Sequence, residues 1–177
     1  MRIISGKYRG MVLASFKGES IRPTADRVKE SLFNILYSSV SGARVLDMFC
    51  GSGNLGIECI SRGAGFVHFN DISLESLAVL KKNLLRIEGN YAITNSDFSC
   101  CMRAGEKYDL IFIDPPYASD AGAEALKLIA NGNHLSDDGV AVLERDRSFT
   151  AAIEGLEMID ERKYGKTYLS FFKRGGI

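Results

Sequence analysis

RVLDMFCGSGNLGIECISR, residues 44–62, reads as a buried apolar strand, a glycine-rich loop and a helix in immediate succession. Gly51, Gly53 and Gly56 form a G-x-G-x-x-G run. Glycines there let a ligand come close to the backbone, and the helix from about Asn54 to Arg62 offers unpaired N–H groups behind them. In an open parallel sheet such a loop lies beyond the carboxyl end of its strand, where ligands bind. The run serves dinucleotides and other adenosine-bearing cofactors alike, and by itself does not separate them.

Outward from this unit the pattern repeats. FVHFN (66–70), YAITN (91–95), YDLIFI (108–113) and GVAVLE (139–144) read as further strands. Ser73 can cap a helix running to about Glu88, with Leu77, Leu80, Leu84 and Ile87 as its inner stripe, and another helix is expected near 120–131. Upstream, Thr24 is placed to cap a helix with Val28, Leu32, Ile35 and Leu36 on one face. Residues 2–13 suggest a small N-terminal β-hairpin. Alternating strands and helices predict an α/β, Rossmann-like, doubly wound and mostly parallel sheet. LEMIDERKYGKTYLSFFK (156–173) breaks the alternation, with two β-rich runs around Gly165 and no helix between them. The last strand must therefore enter antiparallel, whereas dinucleotide-binding folds close with another crossover helix. The expected organisation is a single domain over 1–177, with a hairpin extension at 1–20 and a cofactor-binding catalytic core at 21–177.

Composition sets outer limits. The chain is 46% hydrophobic and 25% charged, as in ordinary globular domains, and no apolar run reaches membrane-spanning length. No secretory signal is evident in MRIISGKYRG. Cys50, Cys59, Cys100 and Cys101 lack C-x-x-C spacing and read as free thiols of a cytoplasmic protein, with no metal site. The net charge is zero, yet residues 1–30 hold seven basic against three acidic residues, and 161–177 hold five against one. Basic ends on an acidic body can present phosphate-binding surface from the termini, or can simply be solvated.

Three acids stand at successive strand ends: Asp47, Asp71 and Asp97. Asp71 can accept from both hydroxyls of an adenosine ribose, and Asp97 from an adenine amino group. Asp47 precedes the glycines so closely that it would repel a pyrophosphate, but it suits a methionine ammonium group. The cofactor reading is therefore S-adenosylmethionine, with Phe49, Cys50, Gly51, Ser52, Gly53, Asn54, Ile72 and Phe98 as further candidate contacts.

FIDPPYASD (112–120) places Asp114-Pro115-Pro116-Tyr117 at the carboxyl end of the strand expected beside the cofactor strand. Two prolines fix the backbone and supply no N–H, so Asp114 and the nearby carbonyls form a fixed set of acceptors. Tyr117 offers a flat face for a base. Acceptors that hold the N–H bonds of an exocyclic amine can aim its lone pair at an electrophilic methyl. Glu144 and Arg145 end a strand at the same rim. His68 and His134 lack a partner motif and read as core or surface residues.

With RIISGKYRG, RPTADRVKESLFNIL, VLDMFCGSGNLGIE, SRGA and FIDPPY in view, the whole chain resembles the bacterial 16S rRNA guanine-N2 methyltransferases of the RsmD type, which act on guanine 966. The resemblance implies that Asp47, Gly51, Gly53, Asp71 and Asp97 hold S-adenosylmethionine, and that Asp114 to Tyr117 hold the guanine amino group. It also implies that Arg22, Thr24 and Arg27 lie near the active-site mouth, with Lys7 and Arg9 on the RNA side, and that the substrate is 16S rRNA in an assembled or assembling 30S subunit. Ala25, Cys50 and Asn54 depart from residues common in that family. From the residues alone, adenine-N6 transfer, a non-catalytic ribosome-assembly role and small-molecule methylation stay open.

Overall fold

The computed structural model describes residues 1–16, 23–116 and 120–176, without the side chains of residues 23–25. Four helices, α1 (Pro23–Ile35), α2 (Asn54–Ser61), α3 (Leu74–Leu84) and α4 (Ala121–Asn131), accompany seven strands. These are β1 (Arg44–Asp47), β2 (Phe66–Asn70), β3 (Tyr91–Thr94), β4 (Tyr108–Ile113), β5 (Leu135–Arg145), β6 (Leu156–Tyr164) and β7 (Thr167–Arg174). They form one sheet in the order β3-β2-β1-β4-β5-β7-β6. The first five run parallel, and β7 is antiparallel to both β5 and β6. The strand order reverses between β1 and β4, which opens the crevice where open α/β sheets take their ligands.

The central strands are apolar because both faces are covered. Val45, Leu110, Phe112, Val142 and Phe171 face a core shared with α1, α2 and α3, while Leu46, Ile111, Ile113, Ala141 and Leu143 face α4. The expected α3 stripe is buried, including Ile87 beyond the helix end. α1 corrects the sequence reading in two ways. Pro23 is already helical, so Thr24 lies in the first turn rather than at the cap, and proline suits that first position because its missing N–H would have no helical partner. Ile35 is 40% exposed, and the inward face instead carries Val28, Lys29, Leu32, Phe33 and Leu36. β5 begins four residues before the expected strand, because its register slips between the Tyr108–Leu135 and Leu110–Val140 pairs, leaving an irregular stretch over Ser136–Gly139.

The N-terminal arms pair antiparallel through Ile3 N–H to the Met11 carbonyl (3.0 Å) and Leu13 N–H to the Met1 carbonyl (3.0 Å). Only Arg2 and Val12 form a true β-bridge. The arm is held chiefly by α2. Glu58, fully buried, accepts the N–H groups of Ile4 (2.8 Å) and Ser5 (3.0 Å) and pairs with Lys29 (3.1 Å) and Arg62 (2.8 Å). Gly6 (φ +85) passes so close to the end of α2 that a Cβ there would stand 1.8 Å from the Ser61 carbonyl oxygen. A side chain at that position cannot coexist with the docked arm.

Candidate active site

Asp47 ends β1 and turns toward α2, where its Oδ2 accepts the Gly56 N–H at 2.9 Å. It is 2% exposed. Burial raises its carboxyl from 3.8 to about 7, the Asp71 charge adds to the rise, and the Gly56 N–H opposes it. A carboxylate that is costly to ionise alone becomes a strong site for a cationic group, whose charge offsets that cost. Beside it, burial drives the Cys50 thiol far above its ordinary range and leaves it unreactive.

The three glycines of the loop do different work. Around Gly51 (φ +52) nothing lies within 4 Å of where a Cβ would stand, so this side of the loop is open. A Cβ on Gly53 (φ +86) would meet Leu80 at 2.3 Å, and one on Gly56 would meet Phe69 at 2.2 Å. Gly51 thus keeps space for a ligand, whereas Gly53 and Gly56 let α2 settle against α3 and β2.

Asp71 braces the same loop. Its Oδ2 accepts the Gly51 N–H at 2.8 Å and its Oδ1 the Ser73 N–H at 2.8 Å. Each oxygen has a further lone pair for a hydroxyl. Asp97 is exposed, and its Oδ1 accepts from the Ser99 N–H (2.9 Å) and hydroxyl (2.6 Å), bonds that hold its carboxyl below the usual value. The turn so made carries Phe98 against Phe49, with ring centroids 5.2 Å apart. Ile72 is 69% exposed on the rim. Two expected contacts serve the scaffold: Ser52 is buried with its carbonyl accepting from Asn83 (2.9 Å), and Asn54 Oδ1 accepts from the Lys29 ammonium (2.9 Å).

Sequence reasoning missed Asn70. This buried residue ends β2, and its amide nitrogen donates to the carbonyls of Met48 and Ser96, both at 3.2 Å, so it ties the ends of β1 and β3 together. Its Oδ1 accepts from the hydroxyls of Thr94 (2.7 Å) and Ser96 (2.9 Å). His68 lies between two hydroxyls, with Nε2 2.9 Å from the Thr94 hydroxyl and Nδ1 2.9 Å from that of Tyr108, which in turn donates to Glu106 at 3.2 Å. Burial lowers the His68 pKa. A polar terminal residue on an otherwise apolar strand was the available signal for Asn70.

Asp114 and Pro116 follow β4 on the exposed side of the turn, and Pro115 is buried. The protein packed around the Asp114 carboxyl raises its pKa well above 3.8, with the Glu144 and Asp47 charges adding to that rise. Tyr117 and Arg22 lie outside the described residues, as does the Thr24 side chain. Arg9 and Arg27, eighteen positions apart, are both exposed and share a groove of about 680 Å³ between the arm and α1, joined by Arg2 and the acids Asp26 and Glu30. Arg2 pairs with Asp26 at 3.2 Å. Lys7 stands apart from that groove, paired with Glu88 at 2.7 Å.

Residues 1–173 match the family model described as Conserved hypothetical protein 95. The chain belongs to this family. Among relatives, YlbH of Bacillus subtilis is 36% identical over 184 residues, covering 99% of this chain and all of that one. Ribosomal RNA small subunit methyltransferase D of Escherichia coli is 34% identical over 148 residues, covering 82% of this chain and 75% of that one. Of solved structures, yhhF from Escherichia coli superposes with a TM-score of 0.88 at 30% identity, over 100% of this chain and 99% of that one.

Proposed function

We propose that this protein transfers a methyl group from S-adenosylmethionine to the N2 amino group of a guanine in 16S rRNA. Relatives named ribosomal RNA small subunit methyltransferase D, at 34–35% identity, support the reaction and the RNA. The observation that carries the reading is the register of β1 against β4. Asp47 pairs with Phe112, so Asp114 follows two residues further along the same face. The acid suited to the cofactor and the acceptor suited to the amine are thereby neighbours at one crevice.

The residues fit S-adenosylmethionine better than a dinucleotide. The buried Asp47 carboxylate favours an ammonium and disfavours a pyrophosphate, the open side of Gly51 admits a ligand, and Asp71 stands twenty residues on with oxygens for a ribose. When bound, this cofactor supplies an electrophilic methyl group on a sulfonium. Asp114 and the carbonyls of the proline turn accept the N–H bonds of the guanine amine and aim its lone pair. In its ionised form Asp114, with its raised pKa, is suited to take the proton that the amine loses as the N–CH3 bond forms. Guanine N2 lies on the minor-groove edge, so the base must be unpaired or turned out, at roughly a few kcal/mol.

The same reading takes the substrate to be an assembled or assembling 30S subunit, met in the cytoplasm by a monomer. A chain of zero net charge fits a particle that offers protein as well as RNA contacts. Among the described residues no helix is long and apolar enough to cross a membrane.

The test is transfer of a labelled methyl group to unmodified small subunits and to free 16S rRNA, with the labelled nucleoside identified after digestion. N2-methylguanosine is expected, and N6-methyladenosine would overturn the base assignment. Asp114→Ala should slow transfer by about 10²–10³-fold, with cofactor affinity within a few-fold of the parent. Transfer at close to the parent rate after this substitution would falsify the catalytic role of the turn.

A further inference from the structure

Glu144 is an acid at the rim whose place the proposed reaction does not use. The last rung between β4 and β5 joins Ile113 to Leu143, both of which face α4. The next residue on each strand is Asp114 and Glu144, carried by alternation to the opposite face, the face of Asp47 and α2. Strands in a sheet lie about 4.8 Å apart, so the two carboxyl groups are neighbours. Their proximity registers electrostatically, since the Glu144 charge is the foremost charge that raises Asp114. Arg145, the following residue, is directed the other way, over the Phe149 ring at 5.3 Å. Two acceptor groups on adjacent strands thus flank the point where the amine is to be held.

Guanine and adenine differ at this point. Guanine presents its amino group beside N1–H, two donors in a row, whereas adenine presents its amino group beside a bare N1 acceptor. An ionised carboxylate only accepts hydrogen bonds. On the proposed-function reading, we infer that Glu144 is the specificity-determining residue of the site, accepting the N1–H of the target guanine while Asp114 accepts from its N2 amino group. An adenine in the same pose sets its N1 lone pair against the Glu144 carboxylate, and a site that presents an acceptor to a donor disfavours a base that presents a second acceptor there. A proton shared by the pair is compatible with this assignment, because Asp114 in its neutral form keeps one oxygen as an acceptor.

The inference is tested with small-subunit particles reconstituted around rRNA that carries either guanine or 2,6-diaminopurine at the methylated position. The analogue keeps the N2 amino group and replaces N1–H with an acceptor. The parent protein should prefer guanine by on the order of 100-fold in kcat/KM. Glu144→Gln, whose amide can also donate, should bring that preference to within about 10-fold. Cofactor affinity, measured directly on each protein, should stay within a few-fold and reports that the variant is folded. A preference for guanine that is unchanged in Glu144→Gln and in Glu144→Ala overturns the inference. If the parent protein fails to make N2-methylguanosine at all, it is the underlying function that fails.

Discussion

Ionising Asp47 works against the fold, since its carboxylate gives up water for one backbone N–H. Its pKa rises on folding from 3.8 to about 7. The stability it contributes is therefore fully present below pH 4, declines as the pH climbs and is lost above 7. Asp47→Asn should flatten this part of the stability profile and make the protein harder to unfold at pH 8 than the parent. Urea titrations at pH 5 and pH 8 check this, and a parent whose stability is equal at the two pH values would refute it. The same residue should couple cofactor binding to pH. A cationic ligand favours the ionised carboxylate, so affinity should rise from pH 6 to pH 8, with proton release that calorimetry in two buffers can count. Asp47→Asn should lose both the release and at least tenfold in affinity, in line with about 1.5–3 kcal/mol for a charged hydrogen bond.

At the scale of elements, the arm, α1 and α2 meet on one carboxylate. Glu58 neutralises Lys29, which is 3% exposed and also bonds the Arg2 carbonyl and Asn54, the first residue of the cofactor helix. Removing the Glu58 charge leaves Lys29 buried without its partner, and Glu58→Gln should cost about 3–5 kcal/mol in chemical denaturation. Gly6→Ala should instead detach the arm alone. It is expected to speed proteolysis within residues 1–16 and to weaken RNA methylation, while cofactor affinity holds.

These contacts explain what could and could not be read in advance. The strands, the glycine loop and the antiparallel end are each fixed by short-range patterns of apolar, glycine and β-branched residues, and apart from the start of β5 they stand where the patterns put them. The burial of Phe33 in place of Ile35 could not be read, because two adjacent apolar residues leave the helix phase open until Phe33 finds Phe112, with ring centroids 6.0 Å apart. Lys29 and Glu58 carried half a signal: each is a charge on an apolar helix face, but the partner lies in another element, twenty-nine residues away. The irregular stretch in β5 was hidden by Asp137, Asp138 and Gly139, which resemble an ordinary turn. At the site, the placing of the acids at successive strand ends and of the loop after β1 was legible, whereas the adjacency of Asp114 and Glu144 required the strand order.

For the molecule as a whole, charge is divided rather than absent. Arg9 and Arg27 come from separate parts of the basic N-terminal region and converge on one groove, while Lys7 is held by Glu88. If the groove carries RNA phosphates, the double variant Arg9→Ala, Arg27→Ala should weaken binding to small subunits and reduce the slope of log affinity against log salt by about 0.7 for each lost contact. Lys7→Ala should move that slope less, because its ion pair already competes with a phosphate. Equal slopes in the parent and the double variant would place the RNA elsewhere.

The position of β7 also governs how the chain can assemble. It follows the other six strands of the sheet in sequence, yet it sits inside the sheet, with β5 on one side and β6 on the other. Until Thr167–Arg174 has left the ribosome, β5 presents a bare edge beside the future methyl-transfer crevice, and β6 has no strand to pair with. A nascent chain can form the β1-to-β5 half early but waits for Thr167–Arg174 to seal the sheet. The crevice is therefore flanked on its β5 side only once Thr167–Arg174 has joined the sheet, well after the residues that line it have been made.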